Sequence, residues 1–176
     1  MEEENNELSD KEILNNIITL CDTQTRYKIA KLGYCLDTFI NDSDWQVRCA
    51  VVEKGYGLDN LINDEDWRVR WSVANHDYGL DILIKDSSWH VRKEVANQGY
   101  GLSKLINDPN WHVRSEVARQ GFGLGQLIND PNCQVRREVA KQISGLGQLT
   151  DNSNWRVCPA LSEHPYHLAD IHDDRP

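Results

Sequence analysis

The chain has 176 residues, of which 39% are hydrophobic, and its formal net charge is −9. This length suffices for one continuous core and leaves no room for a second domain. Since the first ten residues are acidic and no apolar run is long enough to span a bilayer, neither a signal peptide nor a membrane segment is expected. The five cysteines are odd in number and keep no common spacing, which argues against a disulfide framework. We therefore expect a cytoplasmic protein.

The negative charge is concentrated at the two ends of the chain. Residues 1–10 carry five acidic residues and no base, and residues 161–176 carry four acidic residues and one arginine. Between the ends, residues 37–86 hold 11 acidic and 5 basic residues, whereas residues 87–160 hold 6 acidic and 9 basic ones. The front half is thus acidic and the back half mildly basic, which bears on the choice of a partner.

The first predicted element is a helix near residues 10–20. Ile13, Leu14, Ile17 and Ile18 recur at helical spacing and form one apolar side. We therefore predict that residues 1–22 are an acidic N-terminus and a helix that caps the rest of the chain.

A 22-residue repeat follows this helix. Its clearest mark is a row of tryptophans, each in the pattern Trp-x-Val-Arg and each 22 residues from the next: Trp45, Trp67, Trp89 and Trp111. The predicted array covers residues 23–151, with clear copies over 42–151, and residues 152–176 hold a degenerate last copy and a tail. A period of this size predicts an all-α helical-repeat solenoid of about seven units, because each unit buries its apolar side only against its neighbours.

Each repeat is predicted to hold one α-helix and one short helical turn. In the copy that begins at Asp108, an N-cap aspartate, Pro109 and a terminal Gly121 predict a helix over about residues 109–120. On this helix the valines fall on the core side and Glu116 on the opposite side. Residues 124–128 are too few for a stable α-helix of their own and predict a 3₁₀ or α turn.

An arginine falls among the core residues of every predicted helix. A buried guanidinium needs a partner of opposite charge, and each repeat offers one aspartate. We predict a structural ladder of Arg–carboxylate and Arg–carbonyl bonds between repeats; the alternative is a row of phosphate-binding arginines. The ladder residues are Arg48, Arg70, Arg92, Arg114 and Arg136, with Asp42, Asp64, Asp86, Asp108 and Asp130.

The pattern Asp-x-x-Trp-x-Val-Arg-x-x-Val-Ala, a turn and then Leu-x-x-Leu-Ile resembles the leucine-rich repeat variant family and, more loosely, HEAT repeats, over about residues 23–172. The resemblance implies alternating α and 3₁₀ helices in a right-handed superhelix that serves as an interaction surface. The family's turn is longer and carries prolines, whereas residues 55–57 and 99–101 are Gly-Tyr-Gly. One member binds an iron–sulfur centre through a cysteine cluster that is not matched here, so no cofactor is expected.

One outward-facing column predicts where a partner binds. The position after each ladder arginine holds in turn Tyr27, Cys49, Trp71, Lys93, Ser115 and Arg137. We predict that Trp71 anchors a protein-binding surface. The other predicted members of this surface are Tyr27, Cys49, Glu53, Asp59 and Asp81. The alternative is that Trp71 packs on its own helix or a neighbouring one as ordinary surface.

A second aromatic column lies in the predicted turns and consists of Tyr34, Tyr56, Tyr78, Tyr100 and Phe122. Such a row is able to stack bases or to grip a peptide. Covering the edge of the core is the preferred interpretation, and both remain open on the sequence alone.

The histidines suggest two metal sites, neither of which is favoured. His90 and His112 fall on neighbouring helices about 8–10 Å apart, too far for one ion bound at about 2 Å from each nitrogen. They are predicted to be polar surface residues. The weak zinc candidates lie in the tail, which is otherwise a frayed cap: Cys158, His164, His167 and His172.

No nucleophile, base and acid stand apart from the periodic pattern, so we predict that the protein is not an enzyme. The predicted function is a non-enzymatic protein-binding scaffold or inhibitor. The alternative is a nucleic-acid binder or an inhibitor of a nucleic-acid enzyme, of the phage counter-defence or anti-CRISPR-like kind. Nucleic acid would bind through the back half, at Lys93, Arg119, Arg137 and Lys141. A HEAT-like DNA glycosylase is a remote third possibility, because the array is nearly neutral.

Overall fold

A computed structural model describes residues 16–18 and 20–145, and every regular element in these residues is a helix. Long and four-residue helices alternate at a period of about 22 residues. The long helices are α1 (Thr23–Lys31), α3 (Trp45–Val52), α5 (Trp67–Asn75), α7 (Trp89–Asn97), α9 (Trp111–Arg119) and α11 (Cys133–Gly145). The short ones are α2 (Leu36–Phe39), α4 (Leu58–Leu61), α6 (Leu80–Leu83), α8 (Leu102–Leu105) and α10 (Leu124–Leu127). The predicted all-α helical repeat is confirmed, and the short element is an α turn.

The chain divides into two compact units between Leu83 and Ile84, inside the predicted array. In the first unit, α3 packs against α1 and against α5. In the second unit, α9 packs against α7 and against α11. The right-handed superhelix implied by the family resemblance stays a prediction.

Valines form the core of each unit at the positions that the repeat predicts. Val113 and Val117 on α9 are fully buried, as are the equivalent valines on α3, α5, α7 and α11. Glu116 was predicted to face solvent and is only 6% exposed. That prediction was wrong, because the carboxylate lies under Arg119 and Gln120, which both donate hydrogen bonds to it.

The long helices begin about two residues later than predicted. The N-cap of α9 is Asn110, whose side chain accepts the N–H of His112 at 2.9 Å. Asp108 is not the cap: its carboxylate accepts the N–H of Asn110 at 2.8 Å and bonds to the ladder. The sequence offers two good cap residues in this segment, and the ladder arginine engages the first of them.

The turn after each long helix is closed by a left-handed residue. Gly121 has a φ of 75°, and the next residue, Phe122, donates its N–H to the carbonyl of Val117 at 3.2 Å. This pattern satisfies a carbonyl that the helix end leaves free. In the third described repeat Asp77 takes the glycine's place at a φ of 56°, a conformation that aspartate tolerates better than most residues.

A second left-handed glycine opens the short helices at residues 57, 79, 101 and 123, with φ between 62° and 65°. A Cβ on Gly101 would collide with the buried side chain of Ile84 in the preceding repeat. The same relation joins Gly79 to Ile62. The short element therefore packs its backbone directly on an isoleucine, and any larger residue at the glycine would separate the two.

Two predictions concern the termini. Of the predicted capping helix, residues 16–18 and 20 are described and helical; Ile18 is buried, whereas Ile17 is 55% exposed. Ile13 and Leu14 lie outside the described residues, as does the tail with Cys158, His164, His167 and His172. In the described part of the chain no helix is long and apolar enough to cross a membrane.

Among the described residues, Cys21, Cys35 and Cys49 carry free thiols. The cytoplasmic location expected from the cysteine pattern stays a prediction.

Candidate protein-binding surface

The ladder arginines join consecutive repeats inside each unit. Each of four arginines donates from Nε to one carboxylate oxygen at 2.6–2.7 Å and from Nη2 to the other at 2.8–3.1 Å. Such bidentate pairs fix orientation as well as charge. The pairs are Arg26–Asp42, Arg48–Asp64, Arg92–Asp108 and Arg114–Asp130.

The third guanidinium nitrogen bonds to the backbone. Arg92 Nη1 donates to the carbonyl oxygen of Asp86 at 2.7 Å. Arg70 and Arg136 donate in the same way, each at 2.6 Å, to the carbonyls of Asp64 and Asp130. The N–H donors of the ladder arginines are thus engaged within the protein itself. This is evidence against the alternative that these arginines bind phosphate.

The ladder is buried, with side chains only 4–15% exposed in the four pairs. The hydrogen bond to Asp108 raises the pKa of Arg92. Burial raises the pKa of Asp130, but hydrogen bonds from Arg114 and from the N–H of Asn132 outweigh it, so the pKa lies below its ordinary 3.8. Both partners therefore stay charged at neutral pH, and the pairs persist.

Planar side chains stack on the repeat tryptophans, an arrangement that was not predicted from the sequence. In the second unit the ring of His112 lies 4.3 Å from that of Trp89 and 3.6 Å from that of Trp111, centroid to centroid. His90 stacks on Trp89 at 3.6 Å. Both histidines are half-buried, so they are partly exposed, as predicted, and also stack on the tryptophans, which was not predicted.

In the first unit an arginine takes the place of the stacked histidines. The Arg68 guanidinium carbon lies 4.2 Å from the ring centroid of Trp45 and 5.8 Å from that of Trp67. All four repeat tryptophans are half-buried. These tryptophans are therefore part of the scaffold, and among the described residues Trp71 is the tryptophan that lies outside it.

The stack predicts how stability depends on pH. Burial lowers the pKa of His90 and His112 below 6.5, and the nearby Lys93 ammonium lowers it further. The unfolded chain therefore binds more protons below about pH 6.5, so the histidines' contribution to stability is complete above that pH and is lost as the pH falls. Between about pH 7.5 and pH 5.5, the double variant His90→Gln, His112→Gln should lose less unfolding free energy than the native protein, as measured by urea titration.

Glutamine is the matched substitution because the chain carries it at the equivalent positions Gln46 and Gln134. If the native protein and the double variant lose equal stability over this pH range, the histidines of the stack do not cause the pH dependence.

The predicted anchor column occupies equivalent positions on packed helices of the first unit. Tyr27 lies on α1, Cys49 on α3 and Trp71 on α5. The Trp71 side chain is 39% exposed, whereas Tyr27 and Cys49 are half-buried. Trp71 is thus the most exposed member of this column in the unit.

The Cys49 thiol is neutral and therefore unreactive at neutral pH. Burial, followed by the negative charges of Asp66 and Asp64, raises its pKa to about 12. The thiol stays protonated at neutral pH, and the thiolate is the form that attacks or binds metals.

Lys31 contacts two of the predicted surface residues. This contact was not predicted from the sequence. Its ammonium lies 5.7 Å from the ring centroid of Tyr27 and forms an ion pair with Glu53. The bond to Glu53 raises the pKa of Lys31. Tyr27 and Glu53 therefore already contact a cation of their own unit, which makes them less available to a partner.

The other two predicted acids lie beside the turn aromatics. Asp59 is on α4 and Asp81 is at the equivalent place on α6; both are exposed. Asp59 accepts a hydrogen bond from the Tyr78 hydroxyl, which raises the pKa of that tyrosine. The predicted binding residues therefore form two groups: a helix column with Trp71, and a turn edge with Asp59 and Asp81.

The turn aromatics are surface residues. Tyr34, Tyr56, Tyr100 and Phe122 are 39–65% exposed, and Tyr78 is half-buried. Exposure of this size suits either a core edge or a contact surface, and both interpretations stay open.

Of the four basic residues predicted to meet nucleic acid, two are neutralised within the second unit. Arg119 is paired with Glu116, and Lys141 with Glu138 at 2.9 Å. Lys93 and Arg137 are half-buried and have no ion pair in the described residues. A phosphate backbone would thus find fewer available cations than the sequence count suggests.

Within residues 16–18 and 20–145, no group of three or more His, Cys, Asp or Glu side chains is arranged to hold a metal ion. Comparison of the chain with protein-family models, with curated proteins and with solved structures finds no match. The fold and surface define a helical-repeat protein, and its resemblance to leucine-rich repeat variants stays an interpretation of the repeat pattern.

Proposed function

We propose that the protein is a non-enzymatic binding protein that docks a protein partner on its first unit, with Trp71 as the principal anchor. The observation that carries the proposal is the 39% exposure of Trp71 on a helix whose other tryptophan, Trp67, is committed to the scaffold stack. Exposed tryptophans among polar residues are the commonest anchors of protein interfaces.

The chemistry around Trp71 favours a partner that is apolar at its centre and basic at its rim. Residues 20–83 carry 11 acidic and 7 basic residues. The exposed Asp81 forms no ion pair within the described residues, and Cys49 provides a neutral thiol within the anchor column. Complementary charge at the rim mainly speeds association, whereas a buried anchor slows dissociation.

Replacing Trp71 with alanine should weaken partner binding at least about tenfold, since an interface tryptophan typically contributes about 2 kcal/mol or more. The melting temperature should stay nearly unchanged, because a side chain 39% exposed leaves no core cavity when truncated. The partner is first captured on the immobilised protein from a nuclease-treated lysate of the source cells and identified by mass spectrometry. The purified partner is then titrated against both proteins.

Ile82→Ala is the matched control, because Ile82 is a 54% exposed hydrophobic residue of the same unit outside the anchor column. Equal losses of affinity in both variants would remove the assignment to Trp71. Unfolding of Trp71→Ala, with undiminished binding by the remaining folded fraction, would place Trp71 in the core.

A second candidate function is an inhibitor that offers carboxylates to the basic groove of a nucleic-acid enzyme. The observation in its favour is a column of exposed aspartates at equivalent places on the short helices α2, α4 and α6, namely Asp37, Asp59 and Asp81. In that case Asp59→Asn and Asp81→Asn would weaken binding more than Trp71→Ala does. A cytoplasmic location stays a prediction, to be checked by cell fractionation.

A further inference from the structure

Two cations on the long helices of the second unit lack an ion pair among the described residues and share one column. Along α7, α9 and α11 the ladder arginines bond to aspartates and backbone carbonyls, and Arg119 and Lys141 pair with neighbouring glutamates. The remaining cations of these helices are Lys93 on α7 and Arg137 on α11, for which the described residues provide no ion pair.

The carboxylates of these helices are already engaged. Glu94 accepts hydrogen bonds from Asn97 and Gln98 at 2.8 and 3.0 Å. Glu116 accepts from Arg119 and Gln120, and Glu138 from Lys141. Among the described residues of their unit, Lys93 and Arg137 consequently have no ion pair with a carboxylate, and Arg137 keeps a buried Nε without a hydrogen-bond partner.

These two cations lie in register. Lys93, Ser115 and Arg137 hold the same position in three consecutive repeats, and α9 packs against both α7 and α11. Neighbouring helices are about 8–10 Å apart, so the two cations are separated by about 16–20 Å with a hydroxyl between them. An extended segment of about six residues covers that length.

We propose that the Lys93–Ser115–Arg137 column binds an acidic segment of a partner protein in extended form. Carboxylates at the two ends of the segment pair with Lys93 and Arg137, and the Ser115 hydroxyl donates to a group between them. Half-burial of both cations makes each pair worth more than a fully exposed one. This surface lies on the second unit and does not depend on the function proposed for Trp71.

An acidic polypeptide fits this column better than a nucleic acid does. A nucleic-acid strand presents a phosphate at every nucleotide. It binds through protein cations that neutralise these phosphates and release their counterions. The column offers two cations far apart, and the engaged carboxylates of Glu94 and Glu116 lie next to it in sequence. Sparse carboxylates match this spacing, whereas most of the closely spaced phosphates of a strand would lie opposite no cation of the column.

The test uses the full chain and an octa-aspartate peptide as the probe, titrated by calorimetry at about 50 mM salt, where charge pairs are weakly screened. Lys93→Ala and Arg137→Ala should each weaken binding about tenfold, the loss of one charged hydrogen-bonded pair. The matched control is Lys104→Ala, because Lys104 is an exposed lysine of the same unit on the short helix α8. It should leave the affinity within about twofold.

A nuclear magnetic resonance titration of the histidine rings locates the bound peptide. Lys93 depresses the pKa of His90 and His112, so a carboxylate that pairs with Lys93 should raise both pKa values in the complex. Raised values together with the expected variant effects support the proposal. It is overturned by equal losses in all three variants, by peptide binding with unchanged histidine pKa values, or by the absence of binding. Tighter binding of a twelve-residue thymidine oligonucleotide than of the peptide would overturn it in favour of nucleic acid.

Discussion

Replacing Arg92 with alanine should lower the free energy of unfolding by about 3–5 kcal/mol. The substitution removes both hydrogen bonds to the Asp108 carboxylate, which is only 4% exposed, and the bond to the carbonyl of Asp86. The Asp108 carboxylate then keeps the N–H of Asn110 as a partner but loses its bidentate cation, since Arg114 bonds only to the backbone carbonyl of Asp108. Breaking one member of a buried pair is costly because the other charge remains desolvated. Urea unfolding followed by circular dichroism measures the change.

Lys93→Ala is the matched control for Arg92→Ala, since the two residues are adjacent on α7 and carry the same charge. Lys93 has no ion pair among the described residues, so its loss should change stability by no more than about 0.5 kcal/mol. A second variant, Arg92→Lys, keeps the charge but loses the bidentate geometry and should fall between the other two. Small and equal losses in all three would show that the ladder contributes nothing specific.

The ladder explains why a protein built of small units tolerates so much surface variation. Each of the four paired arginines joins the backbone near the start of its own repeat to the carboxylate of the next repeat, as Arg114 does with Asp108 and Asp130. Stacking is therefore set by positions that repeat, and the position after each arginine is free to vary between Trp71, Lys93 and Ser115. The two proposed binding surfaces use the same variable position with different chemistry.

The repeat period made the fold predictable, because every structural column appears several times. The valines, the ladder residues and the left-handed Gly121 could all be placed from their 22-residue recurrence. The start of the helices could not, since Asp108 and Asn110 are both good caps and only the tertiary bond to Arg92 decides between them. Local propensity is a weak guide where a tertiary contact competes with it.

The candidate site was predictable only in part. Trp71 stands out in the sequence because it lies outside the column of repeat tryptophans. The stack was missed, although a planar side chain follows each of the four repeat tryptophans, as Arg68 and His112 do. The cover of Tyr27 by Lys31 was also missed, because that contact and the Lys31–Glu53 pair depend on long, flexible side chains whose partners lie 4 and 22 positions away.

Replacing Gly101 with alanine should destabilise the protein by about 2–5 kcal/mol. Two costs add: about 1–2 kcal/mol for an L-residue held at a φ of 62°, and about 1–3 kcal/mol for overpacking against the buried side chain of Ile84.

Gly99→Ala separates the two costs, because Gly99 has a φ of 74° but a Cβ there would meet nothing within 4 Å. The entropy that alanine removes from the unfolded chain is the same in both variants and cancels in the comparison. Gly101→Ala should therefore be less stable than Gly99→Ala by about 1–3 kcal/mol, and adding Ile84→Val, which deletes the colliding Cδ1 atom, should recover part of that difference. Equal stabilities of the two single variants in urea unfolding would show that the short helix does not pack closely on the isoleucine.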